Sequence, residues 1–555
     1  RRHFCLRNLS ALAMGRSAQL LPWEDDLDEL LASDQTTKAL FPRKRRRCHV
    51  WRWVLRCGVM ALLVTASVVF GTQKQAVLLD EQREEDDESL EALRRALSTD
   101  ARVVTRQDER QFSATSRMRN AFVEPARAQL IVEARTPQDI AEAVLFARRS
   151  KRRVSVYATG HEYAGRSNAR DSVNVNVREM RYVRINGTVA SVGPGTPWSQ
   201  VYEAALPLGL VPVSGYDPSV GVSGFTLGGG HGPLSRRYGL GADQLLGATV
   251  VLANGSIVKD DDSLLWALRG GGGGSFGVVA ELEIQLRPAP RRLTHVDFTA
   301  PYESAVSTLH NASWWRSLDR GWGGWSSVRC EDKRPLLRGL FLYTAEKDDD
   351  PEEEEDPFVG FARTVTPLQS MWEFVQEAER IGFLGGLGDG RRQAIANVFV
   401  GEEDLGDVTD YLVDTMADAC ADDKKRSGLF LYYNQVLGGA VSDRRDDTAI
   451  GEGFREALFQ VGPNAAWSDP AADDRNLRAS ARVARGLADR ATSSYLNEWS
   501  TPPPDDWRDR FWGADTYAAL LDLKHDLDPC GLFRVDHGVG SDEPSYARPD
   551  CDDAA

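Results

Sequence analysis

The sequence predicts an α+β protein, and three observations carry that expectation. Two glycine-rich loops each follow a β-rich run. The first is Ala158-Thr159-Gly160-His161-Glu162-Tyr163-Ala164-Gly165-Arg166-Ser167, and the second is Gly228-Gly229-Gly230-His231-Gly232, continuing to Asp243. Strand-like and helix-like runs alternate around these loops, yet no G-x-G-x-x-G segment opens a helix, which argues against a Rossmann unit. After Pro288 the glycine-rich loops stop, and helices mix with longer strands. Glycine runs remove Cβ atoms and let backbone N–H groups crowd against an anionic or flat ligand. Two such loops, one of them carrying a histidine, imply a large cofactor cradled between them.

The elements follow in order. Leu130-Ile131-Val132-Glu133-Ala134 reads as a strand. Thr136-Pro137-Gln138-Asp139 then opens a helix with a capping residue and proline at its first position. Ile140, Val144, Leu145 and Ala147 give that helix its apolar face. Val154-Ser155-Val156-Tyr157 is the next strand and runs into the His161 loop, and Val173 to Val177 alternates with period two. Thr249 to Leu252, followed by Asn254-Gly255, is a strand entering a hairpin turn. Beyond Pro288 a helix is expected over 367–380, with strands over Gly428 to Val436 and Leu458 to Val461. A final amphipathic helix carries Tyr517, Leu520, Leu521 and Lys524, and Asp528-Pro529-Cys530-Gly531 stops it.

Composition narrows the class. The 555 residues suffice for two substantial cores, and a net charge of −15 argues against nucleic acid as the main partner. Asp348-Asp349-Asp350 and Glu352 to Asp356 read as a solvated loop. Arg43-Lys44-Arg45-Arg46-Arg47 precedes an apolar segment from Val54 to Phe70, and acidic residues follow it from Asp80 to Glu88. That pattern suits a single N-terminal transmembrane helix with a cytoplasmic tail, although the span is shorter than the ideal of about 20 residues. A signal peptide and a buried core helix are the competing readings. A type II topology would put the catalytic part in the lumen or outside the cell, with a secreted protein as the alternative. Cys330, Cys420, Cys530 and Cys551 would then be free to form disulfides, and three pairings are open. Asn186, Asn254 and Asn311 would be glycosylation acceptors in the same topology. No cysteine has metal-site spacing, so no metal is expected.

The loop pair resembles the PCMH-type FAD-binding domain of the berberine-bridge-enzyme-like oxidoreductases, in the vanillyl-alcohol-oxidase superfamily. Further matches are Leu264 to Gly272 and Ser275-Phe276-Gly277-Val278-Val279. The resemblance runs from Phe122 to Pro288 and resumes from Tyr495 to Gly540. It implies a two-subdomain FAD-binding domain and an antiparallel-sheet substrate domain. The expected organisation is a basic tail over 1–50, a transmembrane anchor over 51–71 and a stalk over 72–119. The FAD-binding domain then spans 120–290, the substrate domain 291–490, a returning segment 491–541 and a tail 542–555.

The resemblance also assigns roles. His161, with Thr159, Gly160 and Glu162 beside it, implies covalent attachment to the flavin 8α-methyl group. Relatives attach the flavin a second time through a cysteine in a G-x-C-P-T-V-G segment. Here that segment is Gly215-Tyr216-Asp217-Pro218-Ser219-Val220-Gly221. Asp217 cannot form a thioether, so a single link is expected. Val220, over the flavin C4a face by resemblance, leaves room for O2, and Gly221, Gly228, Gly229, Gly230, Gly277 and Val279 complete the expected cofactor contacts. His231 would face the substrate as hydrogen-bond partner or proton acceptor, or would serve a structural role. In Tyr495-Leu496-Asn497-Glu498, Glu498 stands where relatives place a catalytic tyrosine. It would act as base if burial raised its pKa, fix a substrate cation, or cap its loop. Asn497 would contact flavin or substrate, Tyr495 would line the pocket, and Gln460 would present a polar group from the sheet. Tyr432 and Tyr433 read as core residues ahead of any substrate-stacking role.

The expected activity is that of an FAD-dependent oxidase acting on a small-molecule alcohol, sugar or secondary metabolite, with O2 reduced to H2O2. The rivals are a dehydrogenase with another acceptor and a catalytically silent binding glycoprotein.

Overall fold

The computed structural model describes residues 88–123, 128–345, 357–380, 391–421, 428–443, 445–500 and 503–543. The expected tail, anchor and acidic loop lie outside them. Among the described residues, no helix is long and apolar enough to cross a membrane. From Ser89 onward they belong to one compact unit.

The first layer is a four-stranded sheet in the order Arg102–Thr105, Leu130–Glu133, Val173–Asn176, Val154–Tyr157. The last three strands are parallel. Helix Pro137–Arg149 covers one face and starts with a capping box between Thr136 and Asp139. Val173–Asn176 is buried on both faces, and its polar alternates are answered rather than solvated. Asn174 Nδ2 donates to Ser155 Oγ (2.9 Å) and Ser167 O (2.7 Å), and Asn176 Nδ2 donates to Thr115 O (3.2 Å).

The stalk expected over 72–119 is corrected for its described part. Strand Arg102–Thr105 pairs antiparallel with Leu130–Glu133. Leu93 and Phe112 are buried in this part of the molecule. The surrounding charges mask a short strand and two apolar anchors.

The second layer is an antiparallel five-stranded sheet in the order Val183–Asn186, Val189–Val192, Val278–Gln285, Leu245–Val251, Ile257–Lys259. The hairpin expected at Asn254-Gly255 is there, with Gly255 at φ +79°. The returning segment packs on this layer. Lys524, on helix Ala514–Leu527, donates to Ser275 O (2.6 Å) and pairs with Asp528 (2.5 Å), and Trp512 Nε1 donates to Gly270 O (3.0 Å).

The third layer is the large sheet, eight-stranded among the described residues. Its order is Ala362–Leu368, Arg292–Pro301, Arg334–Ala345, Trp322–Glu331, Leu429–Gln435, Phe459–Trp467, Arg392–Ile395, with Val398–Val400 also on Phe459–Trp467. The helix expected over 367–380 begins later, at Met371–Arg380, because Ala362–Leu368 is an edge strand. Helices Tyr302–Leu309, Leu405–Ala421 and Asp473–Ala488 cover the back. There the Cys330–Cys420 disulfide joins strand Trp322–Glu331 to helix Leu405–Ala421. Cys530 is disulfide-bonded as well. Side chains alternate across the strands, so Trp325, Tyr432, Asn434 and Asn464 come to the front. Tyr433 points back to Tyr302 (2.5 Å between hydroxyls).

Candidate active site

One cavity of about 300 Å³ lies between the glycine-rich loops and the front of the large sheet. Its lining includes Thr159, Gly160, His161, Glu162, Asp217, Val220, Gly221, Gly277 and Val279 from the loop side. His231, Tyr495, Asn497 and Glu498 line it too. Gly228, Gly229, Gly230 and Gln460 do not.

The glycines at 228–230 have a packing reason. A Cβ at Gly228 would collide with the Asn497 carboxamide, and one at Gly230 with the Phe225 ring. Gly230 N–H donates to the Tyr495 hydroxyl (3.1 Å), so this run fits against protein rather than against the cavity. The cradle instead involves a later stretch that the sequence also carried. Gly272 and Gly274 have φ of +93° and +76° and line the cavity with Gly273 and Ser275. Ser275 Oγ is buried there without a protein partner.

At the loop end, His161 Nε2 lies 2.8 Å from Arg119 Nη1 and 2.7 Å from Ser219 Oγ. Arg119 Nη2 pairs with Asp217 Oδ2 (2.7 Å), and the Ser219 hydroxyl donates to Asp217 Oδ1 (2.6 Å). Burial alone would raise the Asp217 pKa, but His161, Arg119 and the Ser219 hydrogen bonds outweigh it and hold the carboxyl below its usual range. Glu162 accepts from Ala164 N (2.8 Å) and Arg166 N (2.6 Å) and pairs with Arg166 Nε (3.0 Å).

At the sheet end, Glu498 closes the short 3₁₀ turn Leu496–Glu498. Three partners hold that turn. Arg166 Nη2 donates to Leu496 O (2.9 Å) and Trp499 O (2.8 Å). Asn397 Nδ2 donates to Tyr495 O (3.0 Å) and Glu498 O (2.9 Å), and its Oδ1 accepts from Tyr495 N (2.7 Å). Asn497 Nδ2 donates to Gly224 O (2.9 Å) and to the Tyr495 hydroxyl (3.0 Å).

The Glu498 carboxyl accepts from Gln460 Nε2 (3.1 Å), whose Oε1 in turn accepts from Asn434 Nδ2 (2.7 Å). Gln460 therefore acts from behind the wall. Burial pushes Glu498 up to about 7, with hydrogen bonds to Tyr432 and Gln460 opposing. Its side chain keeps 24% exposure, and the cavity it lines, rather than bulk water, receives that surface. His231 Nε2 lies 3.7 Å from Glu498 Oε1. Burial drives the imidazole down to about 4, so it is neutral at pH 7 and the contact is no ion pair.

Tyr432, read from sequence as core, lines the cavity. Arg119, Ser219, Arg166 and Asn397 carry the positioning and were missed as site residues. For Ser219 a signal existed, since Asp217-Pro218-Ser219 is an Asx-turn pattern. The others act through contacts distant in sequence.

The glycine cradle, its orphaned Ser275 hydroxyl and the apolar side chains of the lining fit a dinucleotide with a planar ring. A model of the FAD binding domain matches residues 128–261. The chain is 27% identical over 443 residues to the FAD-linked oxidoreductase OXR2 of Pyricularia oryzae, covering 73% of each chain. Among solved structures, the 6-hydroxy-D-nicotine oxidase of Arthrobacter nicotinovorans superposes with a TM-score of 0.69 at 23% identity, covering 80% of this chain and 99% of that one. The berberine bridge enzyme of Eschscholzia californica gives 0.67 at 18%, covering 81% and 98%. These two share the fold. With that domain match, that relative and this cavity together, the chain is an FAD-linked oxidoreductase with an FAD binding domain over residues 128–261.

Proposed function

We propose that the protein is an oxidase whose FAD is held by one covalent bond from His161. It would act on a small-molecule alcohol, sugar or secondary metabolite. The observation that carries this reading is a raised carboxyl, Glu498, facing the His161 loop across one cavity. When bound, FAD would supply a two-electron acceptor for the substrate's hydride, with O2 as the oxidant that would regenerate it and give H2O2.

The protein's own groups handle the proton. Glu498, its pKa raised by burial to about 7, takes the substrate O–H proton in its ionised form as the C–H bond breaks and the carbonyl forms. Gln460 and Tyr432 hold the carboxyl, and neutral His231 orients the hydroxyl. Asp217, where a cysteine would give a second tether, instead pairs with Arg119 beside His161. Val220 lines the cavity as a small side chain, which favours O2 access over a dehydrogenase habit.

The Cys330–Cys420 disulfide suits an oxidising compartment. With the basic run and apolar segment before residue 72, it supports a lumenal or extracellular catalytic part behind a type II anchor, with secretion as the alternative. Asn186, Asn254 and Asn311 are exposed, as glycan acceptors would be.

The test is acid denaturation of wild type and His161→Ala after expression with ample FAD. Flavin mass staying with the wild-type chain and lost from the variant is expected. Retention in both would overturn the single histidyl link. Folded protein that binds no flavin would favour a silent binding role, and a reduced flavin that O2 fails to reoxidise would favour a dehydrogenase.

A further inference from the structure

Besides Ser275 in the glycine cradle, three polar side chains on the cavity wall lack partners within the protein. Neither ring nitrogen of His231 makes a hydrogen bond of good geometry, although Gln460 and Glu498 lie near it, and the Tyr216 hydroxyl and Asn464 Oδ1 are unanswered. These residues are 6%, 7% and 2% exposed, and all three line the cavity. Native proteins pair nearly all of their buried polar groups, so a cluster of exceptions around one cavity points to groups that a ligand completes.

Their placement gives the ligand a length. Asn464 lies four residues beyond Gln460 on strand Phe459–Trp467, and even spacing puts both on one face of the sheet, Gln460 behind Glu498 and Asn464 on the cavity lining. Gln460 holds Glu498 at one end of the wall. Asn464 sits roughly 13 Å further along the strand, at about 3.3 Å per residue. Across the ladder it pairs with Ile395 and Phe430.

Their chemistry gives the ligand a polarity. The lining side chains from the large sheet are Trp325, Gln393, Ile395, Tyr432, Asn434 and Asn464, and none is charged. The charged groups of the loop side are already paired, Arg119 with Asp217 and Arg166 with Glu162. An amide oxygen accepts and cannot donate, so its partner must bring a hydrogen. A neutral imidazole offers one donor and one acceptor on divergent edges of its ring, and a substrate hydroxyl can meet either one of them.

Resting on the oxidase reading above, we infer that the substrate is an uncharged molecule with two hydroxyl groups set apart within the roughly 13 Å of strand that separate Gln460 from Asn464. The reacting carbinol meets Glu498 and His231, and the remote hydroxyl donates to Asn464 Oδ1. Asn464 is thus a specificity residue that selects for the second hydroxyl. A mono-alcohol of the same shape leaves its oxygen unpaired, and that loss discriminates more sharply than the loss of an apolar contact.

The test uses three probes of one shape on the FAD-loaded protein under anaerobic conditions. They are 4-biphenylmethanol, its 4′-hydroxy derivative and 4-(aminomethyl)biphenyl, and binding is read from the flavin spectrum. The 4′-hydroxy compound is expected to bind wild type roughly tenfold to a hundredfold more tightly than 4-biphenylmethanol. Asn464→Leu should shrink that ratio to about twofold or less, and Asn464→Asp, which keeps an oxygen acceptor, should restore most of it. FAD content and melting temperature of both variants establish that they fold.

Equal binding of the two alcohols to wild type would overturn the inference. So would a ratio that survives in Asn464→Leu, or tightest binding by the amine. Because the readout is binding, failure of these alcohols to reduce the flavin would count against the oxidase reading and leave the Asn464 result to be judged alone.

Discussion

On the loop side of the cavity, the four charged side chains form two closed pairs, Arg119 with Asp217 and Glu162 with Arg166. On the opposite side, Glu498 is pushed up to about 7 with no cation to hold it, and Asn464 Oδ1 has no partner. The charges of the first wall are paired before any substrate arrives, as suits a surface that grips a permanent cofactor. The second wall keeps a titratable carboxyl and an unpaired amide oxygen, as suits a surface that meets a transient substrate. Arg166 is among the residues that join the walls. Arg166 pairs with Glu162 in the His161 loop and donates to the carbonyls of Leu496 and Trp499 around Glu498.

The largest effect should come from the unfinished wall. Glu498→Gln keeps the shape and removes the base, so anaerobic flavin reduction should slow by roughly 10²–10⁴-fold. The amount of bound FAD should not change, and a drop in FAD content would merge the two walls into one function.

Next comes the link between them. Arg166→Met removes both hydrogen bonds to the Glu498 turn, and flavin reduction should slow by roughly tenfold to a hundredfold through misplacement. The midpoint of its pH profile should move as well, which a purely structural loss of folded protein would not do. Arg166→Lys should recover only part of the rate, because one ammonium cannot reproduce the guanidinium fork.

The smallest effect is expected on the first wall. Asp217→Asn weakens the hold on Arg119 and hence on His161. Covalent incorporation of FAD should slow by about two- to tenfold while flavin reduction in the loaded fraction stays within about twofold. Mass spectrometry after timed FAD addition measures the first, and stopped flow the second. A reversed pattern would mean that Asp217 serves the substrate.

The contrast explains what could be read from the chain in advance. His161, Asp217 and Glu498 stand in local segments with recognisable neighbours, and all three line the cavity. Helix Pro137–Arg149 was legible because capping and periodicity are properties of adjacent residues. Gly228 to Gly230 read as part of a cofactor cradle, yet their missing Cβ atoms make room for Asn497 and Phe225. Local sequence cannot tell room for a ligand from room for a side chain. Arg166 reaches Leu496 and Trp499 more than three hundred residues away, and Asn397 reaches Tyr495 and Glu498 about a hundred away. Contacts of that kind leave no periodic or spaced pattern. Strand Arg102–Thr105 was lost for the opposite reason, since four residues among many charges give too short an alternation to recognise.

The most direct test of the account is the pH dependence of anaerobic flavin reduction in wild type and Glu498→Gln, with the best-binding alcohol at saturation. The ionised carboxylate is the working form, so the wild-type rate should be low in acid and rise with a midpoint near the raised value of about 7. His231, neutral above about 4, should add no second limb between roughly pH 5 and 9. Glu498→Gln should be slow and flat across that range. A flat wild-type profile, or a rising limb that persists in Glu498→Gln, would contradict the assignment of Glu498 as the base.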